Sequence, residues 1–148
     1  MSLEGANKKT PKFTLRGLQC KAKVVKCYDG DTCQVVFPFH GELTRWTVRL
    51  YGINTPEVTR CSNEEKIKGI KARDFVSNLI LDKEVWIKCY DWGKYGRLIA
   101  DIYFTPDFTG ATLSNIIIEN NHSKQYMRTE DGKTQSDDSI TLTKVGFT

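Results

Sequence analysis

From Cys20 onward polar and apolar positions alternate with a period near two, and after Ser62 the period lengthens to that of a helix. Ala22, Val24 and Val25 set among Lys21, Lys23 and Lys26 predict a strand over Cys20 to Tyr28. Asp29-Gly30-Asp31 interrupts it with a turn, since Asp–Gly suits tight turns that need a positive φ. Thr32 to Phe37 reads as the return strand, ended by Pro38, with a second turn over Phe39 to Glu42. Leu43 to Ile53, carrying Trp46, Val48, Leu50 and Ile53, predicts a third strand that stops at Asn54-Thr55-Pro56.

Ser62 followed by Glu65 is a capping-box signature. Ile67, Ile70, Ala72, Phe75, Val76, Leu79 and Ile80 then recur at helical spacing, so the spacing predicts a helix that presents this stripe to a core and ends before Asp82. Glu84 to Tyr90 and Arg97 to Phe104 read as strands on either side of a turn at Gly93 and Gly96. Thr112 to Asn121 predicts a shorter helix with Leu113, Ile116 and Ile117 inward. Thr129 to Asp138 reads as loop, and Ile140 to Val145 as a short strand or ordered tail. Trp46, Trp86 and Phe75 read as core or near-core packing.

The order β-β-β-α-β-β-α, without an internal repeat, fits an α+β fold that is mainly a five-stranded OB-fold barrel, built from sequential antiparallel strands. The long helix would plug its open side. Residues 1–16 are expected to be a flexible basic arm, 17–128 one folded domain, and 129–148 a loop and tail, packed on that domain or free of it.

Composition narrows this picture. In 148 residues, 39% are hydrophobic and 27% charged, enough for a core with a solvated surface, which excludes wholesale disorder. The net charge of +4 is compatible with a polyanionic partner, and it is concentrated in the front, at Lys8, Lys9, Lys12, Arg16, Lys21, Lys23 and Lys26. A solubilising arm accounts for those lysines equally well. Five cysteines, without a close pair, read as reduced thiols of an intracellular or cytoplasmic protein. No signal peptide or membrane span is visible, and a monomer is the default expectation.

Polar residues gather where strands turn or end: Asp29-Gly30-Asp31-Thr32; Arg49 with Asn54-Thr55-Pro56-Glu57; and Gly93-Lys94-Tyr95-Gly96-Arg97. Turn chemistry explains each by itself. Taken together they supply what phosphodiester hydrolysis needs. Arg49 and Arg97 can clamp phosphate oxygens, Glu57 can act on a water, and Asp31, the Asn54 side-chain oxygen and the Thr55 carbonyl can hold a hard divalent ion.

The anchors Asp29-Gly30-Asp31-Thr32, Val48-Arg49-Leu50, Thr55-Pro56-Glu57 and Lys94-Tyr95-Gly96-Arg97 stand in an order and spacing that resembles the thermonuclease, or staphylococcal nuclease-like, family, from about Val24 to Ser123. The resemblance implies an OB-type barrel and a Ca²⁺-dependent nuclease (another divalent ion such as Mg²⁺ being possible) that cleaves DNA and RNA to 3′-phosphate and 5′-hydroxyl ends. It implies Asp31 as a metal ligand, Thr55 as a carbonyl ligand, Arg49 and Arg97 as phosphate clamps, and Glu57 as general base or water-positioning group. Lys94 and Tyr95 would lie near the substrate's phosphates, with Tyr126 the candidate to pack on a base. Asn54 stands where the family pattern has a second aspartate, which removes one negative charge and implies weaker or altered ion dependence. A non-catalytic nucleic-acid-binding or scaffold module, or a protein-interaction OB-like domain, are the competing classes.

Overall fold

The computed structural model describes residues 1–128 and 134–136, with side chains through Ser123. Among these residues eight strands and two α-helices follow in order: β1 Gln19–Cys27, β2 Thr32–Phe39, β3 Glu42–Leu50, β4 Ile53–Asn54, α1 Asn63–Ile80, β5 Glu84–Trp92, β6 Leu98–Tyr103, α2 Leu113–Glu119, β7 Lys124–Arg128 and β8 Thr134–Ser136. Strands β1-β2-β3-β6-β5 close a five-stranded barrel, and β4-β7-β8 form a small separate sheet. The expected α+β barrel is the fold.

Its closure differs from a purely antiparallel meander. β3 and β6 pair in parallel, with Val48 opposite Leu98 and Arg49 opposite Ile99, while the other barrel pairs are antiparallel. The α1–β5 excursion makes this possible, because a parallel neighbour requires a long crossover. Inside lie alternate residues of the strands, among them Val24, Val35, Phe37, Val48, Ile87, Leu98 and Ile102, which are essentially inaccessible to solvent. Register also puts the end of β1, the start of β2, the end of β3 and the start of β6 at one level, through the partners Cys27–Cys33, Cys33–Val48 and Val48–Leu98. One rim of the barrel therefore carries three of the polar turns named above.

Local details correct the pattern reading. Pro38 lies within β2, opposite Leu43, and does not end it. His40 and Gly41, both at positive φ, make a two-residue hairpin loop closed by Phe39 and Glu42. Pro38 thus falls at a non-hydrogen-bonded position toward β3, and β1 pairs β2 only as far as Val36, so its missing N–H costs no ladder bond. Ser62 caps α1 by accepting from Glu65 N, and the buried stripe is Gly69, Ala72, Val76 and Ile80. Ile67, counted with that stripe from sequence, is 58% exposed, because the first turns of α1 run beyond the barrel wall. The C-terminal end of α1 docks on β1, where Asp82 N donates to Val24 O and Val24 N to Lys83 O.

The capping box is complete on α2, between Thr112 and Asn115, and Ser114 ties this helix to the β3–β4 turn by donating to Tyr51 O at 2.9 Å. The expected arm is anchored at its end: Leu15 is buried in the core, and Phe13 packs on Phe39 and Trp92. Trp46 and Phe75 pack against the core as expected, and Trp86 is half-buried. Strand β8 falls in the segment read as loop. The expected strand at Ile140 to Val145 lies outside the described residues.

One buried polar pair stiffens the wall behind the rim. Tyr90 Oη donates to Asp101 Oδ2 at 2.8 Å, and the Tyr90 ring stacks on Tyr51 with centroids 4.4 Å apart. Burial raises the Asp101 carboxyl above its ordinary value of 3.8, while the Tyr90 bond and Lys88 pull it back. A raised folded-state pKa means that the folded state holds the proton longer than the unfolded chain. Stability contributed by protonated Asp101 is therefore present at low pH and lost as pH rises through the raised value. Tyr90→Phe should lower stability by about 1–3 kcal/mol at pH 7, and by less at pH 4, in urea unfolding. An equal loss at both pH values would mean that the bond to the carboxylate is not the source.

Candidate active site at the barrel rim

The β1–β2 turn delivers Asp31 to the rim, and the fit there is close. Tyr28 N and Asp29 N both donate to Thr32 O, and Asp31 N donates to Asp29 Oδ1 at 3.1 Å. Gly30 is not at positive φ, contrary to the reason expected for it. Its role is space: a Cβ at this position would lie 2.7–2.9 Å from the side-chain atoms of Thr55. Only glycine lets the turn and the Thr55 segment approach this closely.

Asp31 is 6% exposed, and all its visible partners come from the rim. Thr32 Oγ1 donates to Oδ1 at 3.0 Å, Thr55 N donates to Oδ2 at 2.9 Å, and Arg49 Nη2 stands 3.6 Å from Oδ2. The last is an ion pair without a hydrogen bond, being too long for one. Arg49 Nη2 also donates to Asn54 Oδ1 at 3.3 Å, and Nη1 to Leu50 O at 3.1 Å. Leu50 N in turn donates to Asp31 O, locking the end of β3 to the turn. Arg49 is 8% exposed, and its guanidinium is the basic partner of the buried Asp31 side chain. Beside Asp31, Asp29 is pushed up to about 7, first by burial and then by the negative charge of Asp31.

Asn54 and Thr55 are fixed from the other side by a residue that sequence did not point to. Ser123, just after α2, accepts from Asn54 N and donates to Asn54 O, both at 2.8 Å. The backbone of Ile53 and Asn54 pairs with Gln125 and Lys124 of β7. Thr55 Oγ1 is buried beside Gly30 and has no hydrogen-bond partner among the described residues.

The structure thus brings Asp31, Arg49, Asn54 and Thr55 into contact. Glu57 follows two residues later on the same loop, exposed, and borders a cavity shared with Asp29. Arg97 caps the short turn Lys94–Gly96 just before β6, on the same rim. Its Nε donates to Lys94 O at 3.2 Å, and its guanidinium lies 5.7 Å from the Tyr95 ring centre. Tyr95 is 91% exposed and Lys94 is exposed too, both open to a ligand. Among the described residues no ion pair within 4 Å joins Glu57 to either arginine. The backbone of Tyr126 belongs to β7, and its side chain lies outside the described ones.

Glu57 is held in place by α1. A Cβ on Gly69 would collide with the carbonyl oxygen of Glu57, and would lie 2.7 Å from its carbonyl carbon and 2.9 Å from Pro56 O. The sulfur of Cys61 donates to the same Glu57 oxygen at 3.3 Å. Glycine inside a helix costs about 1 kcal/mol relative to alanine, and here the vacant position seats the Glu57 backbone against the helix. The apolar periodicity gave no hint of it, although a glycine amid good helix formers was a visible anomaly.

A closed five-stranded barrel with a carboxylate, an amide oxygen, two arginines and a glutamate on one rim defines a nuclease-like class of domain. The match to the family of staphylococcal nuclease homologues covers residues 47–144, and the chain belongs to that family, whose members are generally nucleases. The matched segment starts after the Asp29–Thr32 turn, so the placing of Asp31 rests on the contacts above. The chain is also similar to the uncharacterized protein MJ1439 of Methanocaldococcus jannaschii, 28% identical over an alignment of 125 positions that covers 71% of this chain and 58% of that protein. The chain thus spans less than two thirds of that relative's length. Among the described residues no helix is long and apolar enough to cross a membrane.

An ordinary Gly→Ala change within a helix stabilises a protein by up to about 1 kcal/mol. Gly69→Ala should do the reverse and cost about 1–3 kcal/mol in urea unfolding, because the obstruction is backbone. A stabilised variant would show that the Glu57 loop does not rest on α1.

Proposed function

We propose that the chain is a metal-dependent nuclease that hydrolyses DNA or RNA at the rim. The observation that carries this reading is the junction of Asp31, Arg49, Asn54 and Thr55, four residues from three segments, with Glu57 and Arg97 on the same rim. Arg49 and Arg97 hold the non-bridging oxygens of the scissile phosphate and offset the charge that builds there. Glu57 orients a water and takes its proton as the water oxygen bonds to phosphorus. The bond from phosphorus to the 5′-oxygen breaks, that oxygen collects a proton from solvent, and the products carry a 3′-phosphate and a 5′-hydroxyl.

The donors suit a hard cation. Asp31, the Asn54 amide oxygen and the Thr55 carbonyl are all oxygens, with no thiolate or imidazole among them, and the Thr55 hydroxyl, without a hydrogen-bond partner among the described residues, lies against Gly30 next to Asp31 in sequence. These residues would hold Ca²⁺, or Mg²⁺ in its place, and a bound ion would supply positive charge next to the phosphate. Arg49 Nη2, now shared between Asp31 and Asn54, becomes available to phosphate once those oxygens are otherwise neutralised. Among the described residues no three His, Cys, Asp or Glu side chains gather, so the ion's countercharge is low and its binding correspondingly weak.

Cleavage of single-stranded DNA should require added Ca²⁺ or Mg²⁺ and stop in excess EDTA. Glu57→Gln should reduce turnover about 10²–10⁴-fold, the usual worth of a general base. Arg97→Ala should reduce it about 10²–10³-fold, as for loss of one group that stabilises transition-state charge. Full activity in EDTA, or unchanged cleavage by both variants, would remove this site from the reaction. A wild-type protein that binds nucleic acid without cutting it would leave a non-catalytic binding module as the function.

A further inference from the structure

The rim does not end at Asp29. On the β1 side of the Asp29–Asp31 turn a cavity of about 600 Å³ is lined by Asp29 and Glu57 and also by Lys26, Tyr28, Arg60 and Arg73. That is the size range of small-ligand sites. Lys26 Nζ lies 4.4 Å from the ring centre of Tyr28, and Tyr28 is 42% exposed. Lys26 and Arg60 are exposed, and among the described residues neither has a carboxylate within 4 Å; Arg73 is paired with neighbouring Asp74 at 3.4 Å.

Strand order gives this cluster its meaning. Across the rim the sequence of strands is β1, β2, β3, β6. Lys26 and Tyr28 lie at the end of β1, Asp31 and Arg49 at β2 and β3, and Tyr95 with Arg97 at the start of β6. A cation–aromatic pair therefore flanks the Asp31–Arg49 centre on each side. Because the barrel closes through β5, the two pairs are three strands apart through β2 and β3 and two through β5, and both border the same rim. Aromatic faces beside cationic groups are the usual means of holding single strands on such barrels.

We propose that Lys26, Tyr28, Arg60 and Arg73 form a second nucleotide subsite, which takes a nucleotide flanking the scissile phosphate in a single-stranded polynucleotide. Tyr28 offers its face to the base, and Lys26, Arg60 and Arg73 take the backbone phosphate. Which phosphate is scissile rests on the nuclease reading; the binding itself does not.

The test compares wild type with a Lys26→Ala/Arg60→Ala double variant, using a fluorescein-labelled single-stranded DNA 12-mer in fluorescence anisotropy. The double variant should bind about tenfold more weakly, and the slope of log K against log salt should become shallower by about 1.4, for two phosphate contacts at about 0.7 each. Tyr28→Ala should weaken binding about fivefold or more, with Tyr28→Phe restoring it. In cleavage assays the double variant's KM on the 12-mer should rise more than its kcat falls. Unchanged affinity and slope in a double variant that melts like wild type would overturn the subsite, as would an unchanged KM on the 12-mer. If wild type does not cut the 12-mer the nuclease reading fails, and the anisotropy result still decides the subsite.

Discussion

A carboxylate taken out of water is unfavourable by several kcal/mol unless donors and a positive charge replace its hydration. Asp31 meets that condition with groups that come from different parts of the chain: the neighbouring Thr32 hydroxyl, the Thr55 amide and the Arg49 guanidinium. Each partner fixes one segment. Thr32 starts β2, Arg49 lies next to the end of β3, and Thr55 opens the loop that carries Glu57. The rim is ordered because this charge has to be satisfied, and the barrel is what brings its partners within reach.

The same condition links structure to the proposed chemistry. Arg49 is divided between Asp31 and Asn54, so the clamp and the ion-holding oxygens are one network. Glu57 is outside this network. It depends on a different device, the missing side chain of Gly69 and the thiol of Cys61 that hold its backbone to α1. The proposed ion-holding oxygens and phosphate clamp thus stand on one support and the proposed carboxylate for water on another. A mutation in one can leave the other in place.

Much of this was legible in the chain. The alternation at Ala22, Val24, Val35 and Val48 located the strands, and Ser62 with Glu65 located the start of α1, because these signals act over a few residues. The anchors around Asp31, Arg49, Thr55, Glu57 and Arg97 marked the rim because, ordinary as each is in a turn, their combination, order and spacing are not. What escaped depends on distant backbone. The parallel β3–β6 closure involves partners some fifty positions apart and leaves no local trace. Gly30 leaves space beside Asp31 as its missing side chain suggested, but without the positive φ and with Thr55 as a neighbour that nothing local named, and Ser123 gives no sign in sequence that it holds Asn54. Pro38 misled because a proline stops a ladder only where its N–H would be used.

Calorimetric titration of Ca²⁺ into the wild-type protein and an Asp31→Asn variant bears most directly on the rim as an ion-holding centre. One ion should bind per wild-type chain, and the variant, checked for folding by circular dichroism, should bind it at least about tenfold more weakly after losing the site's principal formal charge. Equal affinity in the two proteins would put the ion somewhere else and contradict the role given to Asp31.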